Sequence, residues 1–131
     1  MPKNGKKQPR IKSFMDTVVI YWSRSDQKWI AHSLRTDQIG IGECVIEALA
    51  EEMKAVRFSM ELAEKDETIK LFRSAPQWVK DKVDNAQRLA EEAYERAYKL
   101  VYGRWPKSIE PLPDIKKNRR YVAKIKEEAP V

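Results

Sequence analysis

A chain of 131 residues, 42% apolar and 35% charged, can build one modest core under a heavily charged surface. No stretch approaches the roughly 18 consecutive apolar residues of a membrane-spanning helix, and no apolar segment follows the basic N-terminal residues as it would in a secretory leader. The one cysteine, Cys44, excludes an intramolecular disulfide and an all-cysteine metal site, so the expected setting is the reducing cytoplasm, with no membrane partner.

The net charge of +6 sits at the ends. Residues 1–12 carry five basic and no acidic side chains, residues 105–131 carry seven basic and four acidic, and the stretch between them is slightly acidic. Residues 1–13 hold two prolines, one glycine and a single large aliphatic residue beyond Met1, Ile11, too little apolar surface to offset chain entropy. They read as a disordered basic arm.

From Phe14 the pattern changes. Thr17 to Trp22 is β-branched and aromatic, the composition of a strand. Arg24 to Gln27 is turn-like, and Lys28 to Leu34 alternates as a second strand, completing a hairpin across which Trp22 and Trp29 can meet. A short third strand, Ile39-Gly40-Ile41, leads through Gly42 into a helix from about Glu43 to Lys65, where Val45, Leu49, Met53, Val56, Met60 and Ala63 recur at helical steps. Glu51, Glu52, Lys54, Arg57, Glu61 and Glu64 read as its solvated face. Thr68 to Arg73 reads as a fourth strand. Gln77 to Tyr102 reads as one long alanine-rich helix, since Val79, Val83, Ala86, Ala90, Ala93, Ala97 and Leu100 form a heptad seam that packs on the domain or on a second subunit. Gly103 ends that helix. Residues 105–131 read as an extended charged tail with a short helix around Lys116 to Glu127.

The expected fold is therefore α+β: an antiparallel-rich sheet of three or four strands packed on a long helix, plus a second long C-terminal helix. The domain itself spans residues 14–73, and the added helix spans residues 74–104.

Chemistry is sparse. His32 and Cys44 are the only residues of their types and have no evident catalytic companions. Gly40-Ile41-Gly42 lacks the remainder of a dinucleotide fingerprint, and no metal-ligand spacing stands out. The acidic pairs Glu51-Glu52, Glu91-Glu92 and Glu127-Glu128 read as surface charge. The expectation is a protein that is not an enzyme, with no catalytic, cofactor or metal residues. Two binding surfaces are candidates. Trp29, His32 and Leu34 on the second strand suit a protein contact. Lys6, Lys7, Arg10, Lys116, Lys117, Arg119, Arg120 and Tyr121 at the basic ends suit nucleic acid, the tyrosine providing a ring beside cations.

The segment Trp29-Ile30-Ala31-His32-Ser33-Leu34, followed by Gly40-Ile41-Gly42-Glu43 and Glu47-Ala48-Leu49, resembles the HicB-like antitoxin domain over roughly Phe14 to Arg73. Cys44 stands where that family usually has threonine. The resemblance implies a partial ribonuclease-H-like fold without catalytic carboxylates and a small RNA-cleaving, HicA-like toxin as partner. Many relatives also carry a C-terminal DNA-binding domain, whose helix spacing is not evident here.

Overall fold

The computed structural model describes residues 10–104 and 120–130 and is an α+β structure. In chain order its elements are β1 (Ser13–Ser23), β2 (Lys28–Ser33), β3 (Ile39–Gly42), α1 (Val45–Lys65), α2 (Gln77–Lys80), β4 (Gln87–Arg88), α3 (Glu91–Tyr102) and β5 (Arg120–Glu128). A single 3-10 turn, Asp81–Val83, follows α2.

The hairpin forms as its composition predicts. β1 and β2 pair antiparallel from Val18 opposite Ser33 to Ser23 opposite Lys28. Trp22 and Trp29 face each other edge-on with ring centroids 5.6 Å apart, a favoured aromatic geometry. Among the described residues the sheet has five strands in the order β3-β2-β1-β5-β4. Its neighbours are antiparallel except β4 and β5, which run parallel.

Strand alternation sends Val18, Ile20, Ala31, Tyr121, Ala123 and Ile125 to one face, where they form the main core with Val45, Ala48, Leu49 and Met53 of α1. The buried Gly40 and Gly42 bring α1 directly down onto β3. α3 contributes the small buried residues Ala93 and Ala97 to this layer. The Arg57 guanidinium lies 4.4 Å from the Tyr102 ring centroid, and its Nη1 donates to the Val101 carbonyl at 3.3 Å, tying the two helices together. On the opposite face Ala75 and Val79 cover Val19, Tyr21 and Ile30.

Several expectations change. The sheet has five strands rather than three or four, and Thr68 to Arg73 is irregular. The strand that completes the sheet beside β1 is β5, from the supposed charged tail, and it pairs over nine positions from Ser13–Glu128 to Tyr21–Arg120. Residues 120–127 are accordingly strand and not helix; residues 105–119 and 131 lie outside the described residues. The long C-terminal helix is interrupted: α2 is four residues long, Asn85 adopts φ 68°, and β4 intervenes before α3. Asp84-Asn85 is turn chemistry, and asparagine tolerates the left-handed region better than most residues, so the heptad gives way there. Ala93 and Ala97 keep their packing role, while Leu100 is exposed. Gly103 ends α3 as expected, with φ 73° and its N–H donating to Lys99 O at 2.9 Å. Of the expected disordered arm, residues 1–13, residues 1–9 lie outside the described residues, while Ser13 belongs to β1 and Ala129 donates to Lys12 O at 2.9 Å.

Candidate functional site

β2 lies inside the sheet, between β3 and β1, so the Trp29–Leu34 strand is not an edge. Trp29 is half-buried against the main core and Leu34 packs beside Val19 and Ile30. His32 is buried; its Nε2–H donates to Asp37 Oδ1 at 2.6 Å, and Tyr21 Oη is 3.5 Å from Nδ1. The Trp78 indole stands edge-on to both His32 and Tyr21. These contacts hold the loop after β2 and the α2 segment to the sheet.

Among the described residues the sheet ends at β3 on one side and at the two-residue β4 on the other, and β3 is the longer edge. Ser33 N–H donates to Gln38 O at 2.9 Å, and Gly40 and Gly42 follow at alternate positions opposite Ala31 and Trp29. By antiparallel alternation, the backbone polar groups of Ile39 and Ile41 point away from β2. Both isoleucine side chains are nearly half exposed. Beside this edge runs a groove of about 350 Å³ lined by Ile41, Glu47, Ala50, Glu51, Lys54 and Leu100. Its charged lining is Glu47 and Glu51 with Lys54, which pairs with Glu51 at 2.8 Å; Glu43, one helical turn before Glu47, pairs with Lys28. Cys44 is exposed at the N-terminus of α1 without a side-chain cap, while Glu47 reaches back to accept the Glu43 N–H at 2.9 Å.

The basic candidates separate. Lys6, Lys7, Lys116, Lys117 and Arg119 lie outside the described residues. Arg10 pairs with Glu64 at 3.6 Å. Tyr121 is buried in the core and is therefore not an exposed stacking ring, whereas Arg120 is exposed. Folding brings Arg120 together with Arg24, Lys82, Tyr21 and Trp22 around a cavity of about 280 Å³. Lys82 Nζ stands 4.8 Å from the Tyr21 ring centroid; desolvation, then the nearby Arg120 charge, lowers its pKa.

The largest departure from the sequence reading concerns three carboxylates. Asp16, Glu52 and Glu127 converge under α1, each buried, with one oxygen from each lying within 4.8 Å of the others. Glu52 and Glu127 were expected on solvated faces. Periodicity carries the opposite signal: Glu52 falls three residues after Leu49 and four before Val56, Glu127 continues the inward alternation of Tyr121, Ala123 and Ile125, and Asp16 precedes Val18 and Ile20 on their face. Asp16 Oδ2 accepts from Ser33 Oγ at 2.6 Å, and Thr36 N–H in turn donates to Ser33 Oγ at 3.0 Å. Glu127 hydrogen-bonds with Glu52 and with Asp16, and among the described residues no donor outside the trio reaches the oxygens of Glu52 or Glu127. Burial, reinforced for Glu52 by the Glu127 charge, pushes the Glu52 carboxyl well up. Burial chiefly raises Glu127 to about 8 and also raises Asp16 despite its hydrogen bonds.

Comparison with protein-family models, curated proteins and solved structures finds no match. No helix among the described residues is long and apolar enough to cross a membrane.

Proposed function

We propose that the protein binds a small basic protein by accepting an extended segment along β3, without catalysis. The observation that carries this reading is the β3 edge, which no other strand among the described residues covers, with Ile39 and Ile41 exposed beside the Leu100 groove. A docked strand would satisfy the outward backbone groups, while the groove receives alternate side chains. Two carboxylates, Glu47 and Glu51, against one lysine, Lys54, in the groove favour a cationic segment. A HicA-like toxin is the partner suggested by the sequence resemblance, making neutralisation of an RNA-cleaving toxin the corresponding biological role.

The test compares the wild-type chain with the Ile39→Lys/Ile41→Lys variant in a nuclease-treated pull-down from the native host. Identified partners are then purified for titration and hydrogen exchange. The expected result is a stoichiometric basic protein that protects the Ile39–Gly42 amides and loses at least tenfold in affinity with the variant. Equal affinity, or protection elsewhere, overturns the edge reading. Self-association through β3 in place of a second protein overturns the proposed partner.

A second reading, nucleic-acid binding, is supported by the Arg24, Lys82 and Arg120 cluster beside Tyr21 and Trp22. It requires steep salt dependence and loss of nucleic acid from an Arg24→Ala/Lys82→Ala variant. Salt-insensitive binding unaffected by that variant rejects it.

A further inference from the structure

We propose that Asp16, Glu52 and Glu127 form a buried site for one divalent cation of about calcium size, clasping β1, α1 and β5 together. The three carboxylates come from elements far apart in sequence and meet at one point inside the core. None takes part in an ion pair with a described lysine, arginine or histidine. The second observation pointing to a ligand is the isolation of Glu52 and Glu127: both side chains have no solvent exposure, and among the described residues no donor outside the three carboxylates reaches any of their four oxygens, which face only each other and Asp16. Burying an ion without compensation costs several kcal/mol even after relaxation. A central cation supplies that compensation to all three groups simultaneously.

The donor set selects the chemistry. All-oxygen, carboxylate coordination suits a hard cation and offers no soft sulfur or imidazole ligand. The three ligand oxygens lie within 4.8 Å of one another, a span that calcium, with oxygen ligands at about 2.3–2.6 Å and a flexible geometry, can bridge without rearrangement, whereas magnesium, at about 2.0–2.1 Å, demands near-ideal octahedral placement. Three carboxylates provide up to six oxygens, so the protein can fill most of a calcium shell. The Ser33 hydroxyl and the Arg35 N–H, 3.4 Å from Asp16 Oδ1, orient one ligand from outside the cluster. Gly40 allows the Glu52 backbone to approach the sheet closely enough for its side chain to join the group.

Because the site is enclosed, the full chain is to be unfolded in chelator, desalted and refolded with or without calcium chloride. Magnesium chloride and manganese chloride serve as comparisons. Metal content is then measured by elemental analysis and stability by thermal unfolding. The expected result is one retained calcium per chain and a saturable rise in Tm of several degrees, larger than with magnesium. Glu52→Gln and Glu127→Gln are each expected to reduce retained calcium at least tenfold, while circular dichroism verifies folding. The wild-type metal measurement remains decisive if a variant fails to fold. Wild-type protein that refolds without retained cation and shows no calcium-dependent Tm shift overturns the site in favour of carboxyl groups sharing protons. Equal retention by folded wild type and folded variants also overturns it.

Discussion

Gly40 lies directly under the backbone of Glu52: a Cβ at position 40 would stand 2.1 Å from the Glu52 amide nitrogen and 2.4 Å from the Ala48 carbonyl oxygen. Both obstacles are helix backbone and cannot rotate away. Gly40→Ala must displace α1 from the edge of the sheet, an overpacking effect expected to cost about 3 kcal/mol. Equilibrium urea unfolding checks this. A loss below about 0.5 kcal/mol would show that α1 does not pack this closely on β3.

Removal of residues 120–131 is expected to abolish cooperative folding. The truncation strips β1 of its nine-residue pairing with β5 and removes the buried Tyr121, Ala123 and Ile125 from the main core. Large-to-small changes at individual core positions commonly cost about 2–5 kcal/mol, and typical total stability is only about 5–15 kcal/mol. Circular dichroism and a denaturant titration are the measurements. A truncated chain with a native-like sigmoidal transition contradicts this role for β5.

In the presence of chelator, stability is expected to decline as pH rises from about 4.5 toward 8. Burial lifts the pKa values of Glu52 and Asp16, while Glu127 moves from 4.5 to about 8. The folded state therefore holds protons that the unfolded state has released, and its advantage disappears as pH passes through the raised values. Tyr94, pushed up to about 12 by burial, and Tyr102, also raised by burial, remain protonated throughout this window. Urea midpoints at pH 5 and pH 8.5 test the sign. A higher midpoint at pH 8.5, with the Glu52→Gln/Glu127→Gln protein unchanged, contradicts it.

At Asn85, the left-handed backbone provides a separate test. Asn85→Val should destabilise the chain by about 1–2 kcal/mol because a β-branched side chain is poorly accommodated there, whereas Asn85→Gly should cost much less. Chemical denaturation of the two variants distinguishes backbone strain from loss of the asparagine side chain. Equal losses would reject the left-handed assignment.

Local pattern made the first half of the fold readable: β-branched residues and paired tryptophans mark the hairpin, and helical spacing marks α1. The later chain obeys more distant constraints. Alanines at heptad spacing continue through Asp84-Asn85 in sequence, but the turn at Asn85 and the pairing of Gln87–Arg88 with β5 divide the helix. Arg120 to Glu128 has only a short alternating apolar pattern diluted by lysines, and its strand identity depends on β1 as neighbour. Glu52 and Glu127 occupied readable core-facing positions; their charge favoured an exterior assignment over their periodicity. The convergence of three carboxylates required the sheet order and the placement of α1 together, information carried by no local spacing.

The pairing of Ser13 with Glu128 also sets an order for folding. During synthesis the β1–β2–β3 meander and α1 emerge well before β5, so β1 must wait with one side unpaired until residues 120–128 have followed. Closing so long a loop favours a late, topology-limited step over early completion of the N-terminal half. Until that step, the open side of β1 is a place where the nascent chain can pair with the wrong strand, and arrival of β5 closes it.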